Sequence, residues 1–370
     1  VHLTAEQLAL RDAVRGLLAS QRGQPEGGPV LWRRLCGEIG VAGLGVPERY
    51  GGAGAGPVET SIVMEELGRL LTPAPMLGSA VLAAAALLGG DDAGACQRLL
   101  PAVAGGAVAA LAWTGPAGHW DPDEVACRAA VAPGPAAGRP AGGGWVLDGE
   151  AHHVLDGEAA DILLVAAATP GGTALFEVAP GQDGVARTPV TTMDFARRLA
   201  TVRLAGAVGR PIGDPADGTA RAALARARDL ACIALAAEQA GAARQALDMT
   251  VAYTKVRVQF GRVIGGFQAV AHRLADLHVL VESARSVCYA AATAAAEDAP
   301  GSGLRAAAAK VYCSEALQRV AAETIQLHGA IGITWEHDAH RYLKRAHGAA
   351  QLFGQPREHA ARIAAALIDQ

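Results

Sequence analysis

The feature that most constrains this chain is a change of hydrophobic period, made twice. From residue 4 to about 105, apolar residues recur at three and four. In TSIVMEELGRLLT (60–72), Ile62, Met64, Glu65 and Leu67 alternate between dry and wet faces, the spacing of amphipathic helices. From about 108 to 210 the pattern becomes short runs cut by Gly, Pro and Asp: AVAALAWT, GWVLDGE, ADILLVAAAT, TALFEVAP and LATVRLAG. These read as strands. From about 216 onward the helical spacing returns over long stretches, with Pro300–Gly301 and Gly329–Gly332 as the main interruptions. Helices, strands, then helices imply an α+β chain with a sheet domain set between two helical ones. No internal repeat is visible, and PGPAAGRPAGGG (133–144) reads as an exposed loop between strands.

Composition narrows the function classes. With 370 residues, 51% hydrophobic and 18% charged, the chain can bury at least two cores. Its 32 basic and 36 acidic residues offer no basic stripe for a phosphate backbone, so no nucleic-acid partner is expected. The opening VHLTAEQLALRDAVRGLL carries charges throughout, unlike a signal peptide, and MLGSAVLAAAALLGG (76–90) stops short of the roughly 18 apolar residues of a span. The expectation is a cytoplasmic protein with no membrane partner. Cys36, Cys96, Cys127, Cys232, Cys288 and Cys313 are scattered without a CxxC pair, which points to small buried hydrophobes and to no metal site.

The segment richest in chemistry is YTKVRVQFGRVIGGFQAVAHRLADL (253–277). Arg257, Phe260, Ile264, Phe267 and Gln268 surround a QFGRVIGG break between helical stretches. An arginine at such a break can grip a diphosphate with its planar fork, and a phenylalanine can lie against an adenine. The residues taken alone equally allow a surface arginine beside core aromatics.

That segment resembles the R-x-Q-F-G-x-x-I-x-x-F-Q signature of the acyl-CoA dehydrogenase family. LGVPERYGGAG (44–54) is similar to the family's VPE-x-Y-G-G turn. QLHGAIGITWEHDAHRYLKRA (326–346) is similar to its Q-x-x-G-G-x-G segment, with Ala330 at the second glycine. The three occur in the family's order. The resemblance implies an N-terminal helical domain (1–107), a middle β-barrel-like domain (108–213) and a C-terminal four-helix bundle (214–370). It also implies FAD as cofactor and α,β-desaturation of an acyl-CoA, in which a glutamate takes the α-proton while the β-hydrogen leaves as hydride to flavin N5. An electron-transfer flavoprotein is the acceptor that the family leads one to expect.

The resemblance is uneven along the chain. Where many relatives read I-Y-E-G-T, this chain has QLFGQP (351–356), so Phe353 occupies the place of the base. Other relatives carry the glutamate at a position that falls on Ala231, in RDLACIALAAEQAG (228–241). Asp229 and Glu238 are the nearest carboxylates, and Glu238 is the alternative as a relocated base. Relatives cover the flavin ring with T-E-P-x-x-G-S-D and W-I-T segments. Here WTGPAGHWDPDEV (113–125) keeps Thr114, Pro116 and Gly118 but has Gly115 for the glutamate and no serine, while HHVLDGEAAD (152–161) has His153 for the tryptophan and Leu155 for the threonine. The half that in homo-oligomeric relatives holds the ADP end of a neighbour's FAD is kept: Arg257, Phe260, Gln268, Gln326, Gly329 and Ala330. This imbalance implies a heterotetramer, two copies of this chain with two of a homologous subunit that provides the base. It is similar to the paired actinobacterial enzymes that desaturate CoA-activated steroid side chains, as is the strand VLDGEAAD (154–161). A self-sufficient homo-oligomer with a relocated base and a flavin-free structural subunit are the alternatives.

Overall fold

A computed structural model describes residues 2–20, 27–131 and 144–368, so the expected loop at 133–144 lies outside the described residues except for Gly144. In chain order the helices are α1 (Ala5–Ser20), α2 (Gly27–Arg34), α3 (Pro57–Arg69), α4 (Ala84–Gly89), α5 (Ala93–Ala104), α6 (Thr219–Val256), α7 (Gln268–Ala296), α8 (Ser302–His328), α9 (Ala339–Gln351) and α10 (Pro356–Ile368). The strands are β1 (Ala109–Ala112), β2 (Cys127–Val131), β3 (Trp145–Leu155), β4 (Ile162–Thr169), β5 (Gly172–Val178), β6 (Val185–Val190), β7 (Leu199–Ile212), β8 (Val258–Gln259) and β9 (Arg262–Val263). Two compact units result. One comprises Val1–Pro25, Pro57–Pro73 and Cys232–Gln370; the other comprises Glu26–Gly56 and Ala74–Ala231.

In the first unit, local sequence sets the helix ends. Thr4 and Gln7 cap α1 reciprocally, Gln7 N–H to Thr4 Oγ1 at 3.2 Å and Thr4 N–H to Gln7 Oε1 at 3.0 Å. Proline opens both α3 and α10, where its missing N–H costs nothing. Packing follows from small residues: a Cβ on Gly68 would run into the Glu238 backbone, and one on Gly241 into the Glu65 backbone, so α3 and α6 touch main chain to main chain. Charged side chains then tie α3 to its neighbours. Arg15 reaches Glu66 at 2.6 Å, while Glu65 accepts from Arg285 at 3.0 Å and from the Tyr289 hydroxyl at 2.7 Å. A core of Leu71, Leu247, Leu277, Val281, Leu317, Val320 and Tyr342 fills the space between the long helices. The break after α6 is a small hairpin, β8 paired with β9, turning at Phe260–Gly261.

The second unit is built on a barrel. β4 pairs with β2, β2 with β3, β3 with β7, β7 with β5, and β5 back with β4, closing a ring of five strands. β1 adds parallel to β4, and β6 adds antiparallel to β7. Closure removes most open edges. Alternate residues fill the interior, among them Leu147, Leu163, Val165, Phe176, Val178, Val202 and Leu204. β3 slips register between Ala151 and Val154, and at this irregularity His153 takes φ 54°. Two strands of this unit, β2 and β6, were not expected from the sequence. The VPERYGG turn is also there: Glu48–Tyr50 forms a single 3-10 turn ended by Gly51 at φ 82°, and a side chain at Gly52 would collide with the carbonyls of Val46 and Gly43.

Among the described residues no helix is long and apolar enough to cross a membrane, and no group of three His, Cys, Asp or Glu could hold a metal. Five cysteines are buried and Cys36 is half-buried. Burial pushes the Cys127 and Cys313 thiols up to about 12, so they pack as small hydrophobes rather than react.

Candidate cofactor-binding site

Arg257 is the first residue after α6, and its backbone is fixed at both ends. Its N–H donates to the Tyr253 carbonyl at 2.9 Å, and its own carbonyl accepts from Ile264 N–H at 2.8 Å. The side chain is exposed, and its guanidinium makes no ion pair among the described residues. Phe260, at φ 53° in the hairpin turn, is 91% exposed, its ring edge-on to Phe267 with centroids 6.2 Å apart. The Arg262 guanidinium covers Phe267 at 3.9 Å. Gln268 opens α7 and is exposed.

The second segment begins at the end of α8. Gln326, Gly329 and Ala330 are all exposed. Gly329 adopts φ 68°, and a Cβ placed on it would meet nothing within 4 Å, so the backbone there is open to a ligand. The two segments are linked through Tyr253, whose ring stacks on His328 with centroids 4.4 Å apart and whose hydroxyl donates to the His328 carbonyl at 3.4 Å. Sequence reasoning missed this link. Tyr253 lies four residues before Arg257 and His328 falls inside QLHGA, but nothing in their spacing of 75 residues announces a stack.

These features fit the ADP portion of FAD: a cation without an ion pair, a bare aromatic face, exposed amides, and an open glycine turn. Bound there, the diphosphate would lie against Arg257 and the backbone at Gly329 and Ala330, and the adenine against Phe260.

The places of a base are different. Phe353 is fully buried at φ 60°, and its carbonyl accepts from His359 Nε2 at 2.9 Å. Ala231 is fully buried. Glu238 is 4% exposed, and its carboxylate takes Arg345 Nη1 at 2.7 Å in a buried ion pair joining α6 to α9. Asp229 is buried beside Arg228 at 3.7 Å. The ring-side residues are occupied in the same sense. Thr114 is fully buried and donates its hydroxyl to the His119 carbonyl at 2.6 Å, within its own loop. Leu155 is buried, and His153 Nε2 lies 3.4 Å from the Pro116 carbonyl.

Residues 219–368 match the family model of the acyl-CoA dehydrogenase C-terminal domain, and residues 4–107 that of the acyl-CoA dehydrogenase N-terminal domain. Over 351 residues the chain is 43% identical to acyl-CoA dehydrogenase IpdE2 of Mycobacterium tuberculosis, covering 95% of this chain and 90% of that protein. Its fold is similar to the Tcur3481–Tcur3483 steroid ACAD (TM-score 0.82, 31% identity, 98% of each chain). It is also similar to the ChsE4–ChsE5 complex of Mycobacterium tuberculosis (TM-score 0.84, 30% identity, 100% of this chain and 99% of that one). The helical, β-barrel and helical organisation and these relatives agree: the chain belongs to the acyl-CoA dehydrogenase family.

Proposed function

We propose that this chain is one subunit of a hetero-oligomeric, FAD-dependent acyl-CoA dehydrogenase acting on the CoA thioester of a steroid side chain. Two copies assemble with two of a homologous subunit. This chain supplies the clamp on the ADP end of FAD through Arg257, Phe260, Gln268, Gln326, Gly329 and Ala330, and the partner supplies the flavin-ring pocket and the glutamate. Bound FAD provides the hydride acceptor for the β-hydrogen. Removal of the α-proton needs a carboxylate within hydrogen-bond reach, and a buried aromatic ring at the base position cannot provide one. Phe353, buried and locked where relatives carry that glutamate, is the observation that carries the reading. Both solved relatives named above are paired assemblies by name, one of them a steroid ACAD, which supports the partner and the substrate class.

The test is to purify the chain alone and again after co-expression with a homologous dehydrogenase chain from the same genome, and to record flavin absorbance. Flavin is expected only in the co-expressed complex. Stoichiometric, tightly held FAD in the lone chain would overturn the shared-site reading.

A further inference from the structure

Three rings form a column beside the clamp that no motif explains. Tyr253 on α6 stacks on His328, the last residue of α8, with planes 25° apart, and His328 in turn lies 4.4 Å from the ring of His337 in the turn before α9. Hydrogen bonds fix which nitrogen of each imidazole donates or accepts. His328 Nδ1 is 2.7 Å from the Thr324 carbonyl, which can only accept, so the proton is on Nδ1 and Nε2 is bare. That Nε2 is buried and has no hydrogen-bond partner among the described residues. His337 uses its own bare Nδ1 to accept the N–H of Ala339, the first residue of α9, at 3.1 Å. A proton on His328 Nε2 would create a buried cation against a second imidazole.

We infer that Tyr253, His328 and His337 are positioning residues that latch the Arg257 hairpin to the Gln326–Ala330 turn while His328 is neutral, and that protonation of His328 opens the latch. The groups facing it supply no acid to absorb the charge. From α6 it is the Tyr253 phenol, and from the turn it is His337. His337 faces His340 of α9, around which stand Lys344, Arg341 and Asp338. Asp338 is already held by Arg341 at 3.0 Å, and Glu336 is turned to Thr334. Burial lowers the His328 pKa below the ordinary histidine value, and His337 pushes the same way, against the pull of the Thr324 bond. A folded-state pKa below the unfolded one gives a latch that is complete above about pH 6.5 and weakens as the pH falls from there toward the folded value. Any effect on FAD rests on the clamp reading above; the latch itself does not.

The experiment is peptide-resolved hydrogen exchange on the protein as purified, corrected for intrinsic rates, at pH 7.5 and 5.5. In the wild type, opening across 250–264 and 326–340 should rise several-fold and by no more than about tenfold, because pH 5.5 lies about one unit below the ordinary histidine value, while β7 is unchanged. His328→Phe keeps a ring against Tyr253 without a titrating nitrogen and should stay closed at both pH values. His337→Asn keeps an acceptor for Ala339 N–H and should show a smaller rise than the wild type. Equal protection of the wild type at the two pH values would overturn the latch, as would the same rise in His328→Phe. If His328→Phe does not fold, a wild-type-sized rise in His337→Asn overturns it. Binding of ADP, measured in parallel, separates the two readings. Affinity that falls as the segments open supports both, whereas acid opening with no ADP binding at either pH keeps the latch and sinks the clamp.

Discussion

Two helix ends in the same unit are each followed by a residue of positive φ and put it to opposite use. After α8 the chain turns at Gly329 with φ 68°, and after α9 it turns at Phe353 with φ 60°. Glycine takes this left-handed conformation without strain and leaves its peptide open, as the empty space around Gly329 shows. A phenylalanine there costs roughly 1 to 2 kcal/mol, and it persists only because its surroundings hold it. Full burial of the ring and the hydrogen bond from His359 to its carbonyl provide that hold. One turn is free to meet a ligand, whereas the other is closed by its own side chain. The difference between the open turn at Gly329 and the closed one at Phe353 thus comes down to which side chain each carries.

The comparison breaks most visibly if Glu238 is a base after all. Glu238 is the anionic half of a buried pair with Arg345, and Glu238→Ala removes that carboxylate from beside the guanidinium. Removing one partner of such a pair costs about 3 to 5 kcal/mol, to be read from chemical denaturation. The milder Glu238→Gln should keep α-proton exchange of the assembled enzyme within a few-fold. Loss of exchange in a folded, flavin-loaded Glu238→Gln complex would move the base into this chain.

Phe353→Ala tests the closed turn. Deleting a fully buried phenyl ring costs about 3 to 5 kcal/mol, with no relief of the positive φ, since alanine keeps the Cβ. Turnover of the complex that still folds should change far less than the roughly 100-fold or more that follows loss of a general base. Gln268→Ala and Gln326→Ala give the smallest effects. Each removes one neutral hydrogen-bonding group, worth about 0.5 to 1.5 kcal/mol, so FAD affinity should fall about two- to tenfold in an equilibrium titration.

Much of the architecture is legible in the sequence because it rests on period. The long helices and five of the strands stand out as apolar runs. β6 does not, because VARTPV is an edge strand paired only with β7, half polar and carrying Pro189. β2, CRAAV, is too short and too rich in alanine to alternate clearly. Closure of the barrel depends on pairings between distant strands, such as β2 with β4 and β3 with β7, which no local pattern encodes. At the candidate site, Arg257, Phe260 and Gln268 are legible as a motif. The fate of Glu238 is not, since its partner Arg345 is 107 residues away. Nor is the positive φ of Phe353 itself, although Gly354 and Pro356 beside it mark a helix end.

The most direct measurement is FAD retention by the assembled complex in two sets of variants. A guanidinium fork on a diphosphate forms charge-assisted bonds worth roughly 1.5 to 3 kcal/mol each, so Arg257→Ala should weaken FAD binding by about one to two powers of ten per bond lost. Arg257→Lys should recover only part of that. His153→Ala and Leu155→Ala should leave the cofactor bound. The opposite pattern, with flavin kept by Arg257→Ala and stripped by changes at His153 or Leu155, would mean that this chain holds its own flavin ring and would contradict the division of the site between two subunits.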